Sequence, residues 1–315
     1  MLSHNIALST WPRRTWVRPI HSKAVSHSEE TMRTRFLSFI ALICMPAALP
    51  AADRIQVFVT VPPQQTFVER IGGSQVRVEA LVGAGSNPHA YEPTPGQIAR
   101  LAEADVYFGI GLPMEAAWMK RIRAVNPEIR VVDLSDGISR RRLEAHDHHH
   151  ESGTEQDPHV WTSPPLVIGM AERIAGTLAE LDPLQAAEYE ARLADFVAEL
   201  KDLDADTRTR LDRLKHRRFM VYHPSWGYFA DNYGLTQIPI ESEGKEPGPR
   251  RLAALIDQAR REDVRVILAQ PQMSTKAAEQ VAQEIGGRVE VVDTLSADYI
   301  GTIRHLTRVL TSTEE

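Results

Sequence analysis

Residues 184–214 contain neither proline nor glycine. Within them Tyr189, Leu193, Phe196, Leu200 and Leu203 recur at alternating spacings of four and three, which places them on one stripe of an α-helix. Asp182 and Pro183 offer an N-cap and a proline at the first helical position. At 1.5 Å per residue such a helix runs roughly 46 Å, longer than a small domain is wide. A coiled coil is the competing reading, but only about three heptads fit, which is short for one. Four strand-like apolar runs precede this stretch and four follow it, each succeeded by a helical pattern. The chain therefore reads as α/β, with two (β/α)4-type lobes linked by a single long rigid helix.

The leading residues do not belong to that fold. Met32 is followed by Arg33 and Arg35, then by the apolar run FLSFIALICMPAAL over residues 36–49, then by Ala51 and Ala52 before Asp53. This order of basic, apolar and small residues predicts a secretory signal peptide over 32–52, too short for a membrane span. Residues 1–31 show no apolar periodicity and read as an upstream extension from a mis-assigned start. Cys44 follows Ile43, where lipoprotein processing requires a small residue, so no lipid anchor is expected. The remaining domains are a first lobe over 53–182, the linking helix over 183–214 and a second lobe over 215–315.

Composition narrows the chemistry. Cys44 is the one cysteine in the chain, so a metal site must be built from His, Asp and Glu. Residues 1–52 hold six of the 36 Lys/Arg and two of the 42 Asp/Glu, leaving 30 and 40 and a formal charge of about −10 with His neutral. That balance argues against nucleic acid and anionic membrane surfaces as partners.

The first lobe places histidines on loops, and the second places a histidine and an aspartate where strands end. In the first, strands are expected over 55–61, 76–82, 105–110 and 129–134, and the Gly/Pro-rich loop GAGSNPHAYEPTP after the second carries His89. A solitary loop histidine is ordinarily just exposed. In open α/β sheets, however, loops beyond the carboxyl ends of strands form the ligand crevice. Residues 139–157 are polar and contain His146, His148, His149 and His150, a His-rich tract suited to weak, exchangeable metal binding on a solvated loop. DPHVW then brings His159 beside a proline, and Ser163 is expected to cap a helix running to about Leu181. In the second lobe, strands over 218–222, 235–241, 264–269 and 288–293 put His223 and Asp293 at the ends of the first and fourth. If both lobes turn their strand ends to one cleft, three imidazoles and one carboxylate converge. Such a set suits tetrahedral zinc and is tolerable for manganese.

The segments NPHAYEP, DPHVW, YHPSWGYFADNYGL, IPIESEGKEPGP, VILAQPQMSTKAAEQVAQEIGG and VVDTL occur in this order. Together they resemble the signatures of the metal-specific solute-binding proteins of ABC importers, with the zinc-uptake branch the best fit. The resemblance covers residues 54–310. It implies two lobes joined by a long helix, a metal in the inter-lobe cleft, and delivery of that metal to a membrane permease driven by a cytoplasmic ATPase. Carried over by position, the family's ligands fall on His89, His159, His223 and Asp293, and the His-rich tract is similar to the loop of zinc-specific members. Thr294 stands where the family commonly has a proline, and the second-lobe disulfide of some members cannot form here.

The function expected is periplasmic capture of Zn2+ by a monomer, without catalysis, the metal passing to the importer. Manganese or iron capture is the alternative within the family. A zinc hydrolase would need an open coordination position and a nearby base, and the chain has no HExxH. An adhesin or metal-storage role would be separated by whether a permease and ATPase are encoded nearby. Among other residues, Glu92, Trp161, Trp226 and Tyr228 could wall the cleft, with core packing expected for the aromatics. Glu241, Glu243 and Glu246 read as a solvated loop, His216 and His305 as surface histidines, and Met220 and Met273 as packing residues. Zinc affinity is expected to fall as pH drops through the imidazole range, because the ligands must be deprotonated.

Overall fold

The computed structural model describes residues 54–83, 85–143, 156–241 and 244–312. The upstream extension, the signal peptide and the tract with His146, His148, His149 and His150 lie outside the described residues. In the first lobe, β1 (Ile55–Val59), α1 (Pro62–Gly72), β2 (Val76–Ala80), α2 (Pro95–Leu101), β3 (Val106–Gly109), α3 (Glu115–Val125) and β4 (Arg130–Asp133) build a four-stranded sheet in the order β2-β1-β3-β4. Every pairing is parallel. Strands buried on both faces need apolar residues at consecutive positions, and Val57, Phe58 and Val59 in β1 and Val106, Tyr107 and Phe108 in β3 supply them.

Two long helices follow, α4 (Pro164–Leu181) and α5 (Ala186–Leu211). The regular part of α5 is shorter than 184–214, about 39 Å by its rise. It is entered through a 3₁₀ turn at Pro183–Gln185. The expected caps do not form: neither Asp182 nor Ser163 makes a side-chain cap bond. In each case the residue's own carbonyl has taken the amide three residues on, Gln185 N on Asp182 O at 3.1 Å and Leu166 N on Ser163 O at 3.0 Å. At Ser163, followed by Pro164 and Pro165, which carry no amide hydrogen, this leaves the side chain no nearby donor to satisfy.

The second lobe repeats the first with β5 (Arg218–Val221), α6 (Gly227–Tyr233), β6 (Thr236–Pro239), α7 (Pro249–Arg261), β7 (Val266–Ala269), α8 (Lys276–Ile285) and β8 (Arg288–Val291). Its sheet is again parallel, in the order β6-β5-β7-β8. The chain ends its described part with α9 (Tyr299–Thr311). In both sheets the order reverses beside the first strand, so each lobe has its crevice where β1 or β5 ends.

The predicted stripe of α5 is the buried one: Tyr189, Phe196, Leu200 and Leu203 are at most 1% exposed, and Leu193 is half-buried against them. Phe196 lies 6.0 Å from Phe67 of α1, and Phe67 in turn meets Tyr299 of α9 edge-on at 5.0 Å. Ile303, Leu306 and Leu310 carry the same core to Phe219, Val221 and Leu268 on the inner face of the second sheet. The outer face, with Met220, Ile238, Ile267, Leu255 and Val281, forms a separate cluster. The long helix is thus packed along both lobes, with α9 returning beside it, rather than standing as a bare beam.

Candidate metal centre

His89 occupies a 3₁₀ turn, Pro88–Ala90, in the loop beyond β2, where Asn87 Oδ1 accepts the His89 amide at 2.9 Å. His159 follows Asp157 and Pro158 and precedes the turn Val160–Thr162. His223 lies two residues past the end of β5. These positions come from both lobes, and the structure brings their rings together. His89 Nε2 is 3.2 Å from His223 Nε2, and His223 Nε2 is 3.3 Å from His159 Nε2. A ligand atom from each of the three lies within 4.8 Å of those of the other two, the one such His/Cys/Asp/Glu group found among the described residues.

The opposite nitrogens explain which atoms are offered. Asp157 Oδ1 accepts from both the His159 amide at 2.9 Å and His159 Nδ1 at 2.8 Å. Glu241 Oε1 sits 2.6 Å from His223 Nδ1. A carboxylate at Nδ1 fixes the hydrogen there and leaves the Nε2 lone pair free to bind a metal, raising its basicity as well. Tetrahedral Zn–N bonds of about 2.0–2.1 Å place neighbouring nitrogens roughly 3.3–3.4 Å apart. The two observed Nε2 spacings, 3.2 and 3.3 Å, are close to that edge length.

Burial and neighbouring charge favour the neutral form of His159 and His89. Burial lowers the His159 pKa, and the neighbouring His223 and Arg141 add to this against the opposing pull of Asp157. Desolvation, then His159 and His223, lower that of His89 to about 3. The outer edge of His89 is open to solvent, which tempers the desolvation. Asp157 is fully buried, and burial disfavours its charge most; its bonds to His159 and Arg141 outweigh this and hold its pKa below the usual value.

Asp293, beyond β8, does not join the three-histidine group. Its Oδ1 accepts from Gln272 Nε2 at 2.8 Å and from the Leu295 amide at 2.9 Å. Glu92 is exposed and paired with Arg121 rather than walling a cleft. Glu241 corrects the expectation of a solvated loop: it is 3% exposed and backs His223. The reason is register. Val221 pairs with Pro239, so two residues further His223 comes level with Glu241. Of the remaining acids, Glu246 is exposed and Glu243 lies outside the described residues. Asp157 escaped sequence reasoning, although its place two residues before His159 was the available signal. Trp161, Trp226 and Tyr228 are buried, Trp161 with its ring 5.4 Å from that of His159. His216 is exposed 3.8 Å from Asp263, His305 is half-buried, Met220 is in the core and Met273 packs on it.

The family model described as zinc-uptake complex component A, periplasmic, matches residues 57–313. The chain belongs to this family. The high-affinity zinc uptake system protein ZnuA of Bacillus subtilis is 34% identical over 254 residues, covering 77% of this chain and 79% of that protein. A solved structure titled as ZnuA shares 42% identity and a TM-score of 0.78, over 82% of this chain and 99% of that one. The zinc-binding protein AdcA of Streptococcus pyogenes is 29% identical over 265 residues; these cover 78% of this chain but only 51% of AdcA. The two parallel-sheet lobes and the long helix are therefore those of a zinc-uptake solute-binding protein.

Proposed function

We propose that this protein captures Zn2+ in the cleft between its lobes, outside the cytoplasm, and passes it to the permease of an ABC importer powered by a cytoplasmic ATPase. The observation that carries this reading is the convergence of His89, His159 and His223 through Nε2, with carboxylates behind two of them. The zinc is cargo: three neutral imidazoles bind it, and none of them is poised to activate a substrate. Nitrogen donors favour zinc over manganese, which prefers oxygen. Asp293 is the fourth ligand in this reading. Its carboxylate would reach the ion by exchanging the Gln272 bond for the metal. His146, His148, His149 and His150 collect further zinc weakly.

Titrating metal-stripped protein beginning at residue 53 with zinc tests the proposal. One tight site is expected, together with weaker binding that disappears when residues 144–155 are deleted. His223→Ala should abolish the tight site. Unchanged tight binding in that variant would refute the assignment. Anomalous scattering at the zinc and manganese edges, on protein purified without added metal, decides between the two ions.

A further inference from the structure

Arg141 connects the carboxylate behind His159 to the second lobe. Its Nη1 lies 3.0 Å from Asp157 Oδ2, and its Nε donates to Asp231 Oδ2 of α6 at 2.9 Å. The Arg141 amide donates to the Tyr228 hydroxyl at 3.2 Å, and that hydroxyl donates to the Asp157 carbonyl at 2.8 Å. The Asp157 amide returns to the Arg141 carbonyl at 2.9 Å. The guanidinium also lies over the Tyr228 ring, 6.0 Å from its centroid. Arg141 and Asp157 belong to the first lobe, Tyr228 and Asp231 to the second.

The two oxygens of Asp157 divide their work. Oδ1 holds His159 by its amide and its ring, and Oδ2 holds Arg141. Asp157 is fully buried while Asp231 is 59% exposed, so the guanidinium leads from the site to the surface of the other lobe. Gly227 provides the room. A Cβ there would overlap Arg141 Nη1 and come within 2.7 Å of Asp157 Oδ2. The backbone at Gly227 does not require glycine for its φ, since it is absent from the positive-φ positions. The close approach of Arg141 is what the missing side chain permits.

We propose that Arg141 is a positioning residue for the metal centre: one planar fork fixes the carboxylate that orients His159 and fastens it to the second lobe, thereby setting how fast zinc leaves. The inference rests on the zinc-capture reading above. Removing one partner of a buried ion pair leaves an uncompensated charge. Asp157 would then turn towards water, and His159 Nδ1 would lose its directed acceptor. A lysine supplies the charge as a single point and cannot grip two carboxylates in a fixed plane.

The test measures zinc release from the full mature chain to a chelator in stopped flow, alongside the His159 Nδ1–H proton resonance of histidine-labelled, metal-free protein. Groups that orient metal-binding histidines typically change affinity by about 10–100-fold when lost. Arg141→Met should therefore release zinc roughly 10–100 times faster and shift or broaden the His159 resonance. Arg141→Lys should recover part of the loss, and Asp231→Asn should show a smaller acceleration. Gly227→Ala should behave like Arg141→Met, and it carries the comparison if Arg141→Met does not fold. A lowered melting temperature with wild-type release and a wild-type resonance in Arg141→Met or Gly227→Ala would overturn the proposal and leave Arg141 a structural tie. Failure of the wild-type protein to hold one zinc tightly would instead sink the zinc-capture reading, and the resonance would still report on Arg141.

Discussion

The indole Nε1 of Trp161 donates to the carbonyl oxygen of Thr294 at 2.8 Å, joining the residue two places after His159 to the one directly after Asp293. The two lobes are thus tied beside His159 and Asp293, as well as along the core shared by α1, α5 and α9. Hinge bending on ligand binding needs connections that absorb large φ/ψ changes. An unbroken α5 offers none without losing several backbone hydrogen bonds. Zinc should therefore change the radius of gyration in solution scattering very little. Hydrogen-exchange protection should grow around His89, His223 and Asp293 and stay constant along α5. A large zinc-induced compaction would show that the lobes rotate as bodies.

Ligands and their supports should separate by magnitude. His159→Ala and His223→Ala remove nitrogens from the site and should cost more than about 100-fold in zinc affinity. Glu241→Ala removes only the acceptor at His223 Nδ1 and should cost about 10–100-fold. Asp293→Ala should cost less than either, since water can take the place of a single oxygen. Competition titration against a zinc chelator ranks the four variants, and Glu241→Ala at wild-type affinity would contradict the role given to that carboxylate.

Acid should act on the metal-free fold in a definite direction. The folded His89 and His159 pKa values lie below the ordinary 6.5, so between them the unfolded chain binds more protons than the folded one. Stability then rises with pH across that interval. This contribution is fully present above about 6.5 and is lost as pH falls from there towards the folded values. Denaturant titrations of metal-stripped protein between pH 7 and pH 5 should show it, and His89→Gln should flatten the slope. Zinc affinity should correspondingly begin to fall at a lower pH than it would for unperturbed imidazoles, a downward displacement of the range expected from histidine alone. Loss of zinc centred at or above pH 6.5 would contradict it.

Phe196 sits where α5, α1 and the Arg70 guanidinium meet, 1% exposed with the Arg70 head 5.3 Å from its centroid. Phe196→Ala should destabilise the fold by about 3–5 kcal/mol through the cavity it leaves. Zinc stoichiometry at temperatures where the variant stays folded should remain at one tight site, because Phe196 is remote from the histidines along the chain and belongs to the helix core. Calorimetric melting, together with zinc titration, checks both halves.

What the sequence determined by itself was whatever depends on near neighbours. The apolar stripe from Tyr189 to Leu203 follows from a helical period of 3.6, and the doubly buried strands from unbroken runs such as those in β1 and β3, so both lobes and the helix between them were legible. His89, His159 and His223, which the structure brings together, could be singled out from the sequence too, the first two on loops and the third at a strand end. Other features depended on how distant segments meet. Glu241 supports His223 only because β6 lies parallel to β5 in one particular register, and a slip of one residue would turn its side chain to the other face. Arg141 reaches Asp231, ninety residues away, only because the lobes face each other as they do. Even the caps at Asp182 and Ser163 yielded to backbone bonds that the composition of the turn does not reveal. Propensity and periodicity are local energies. Asp157 aims His159 from two residues away, but Glu241 aims His223 across two strands, and only the packed structure places that carboxylate.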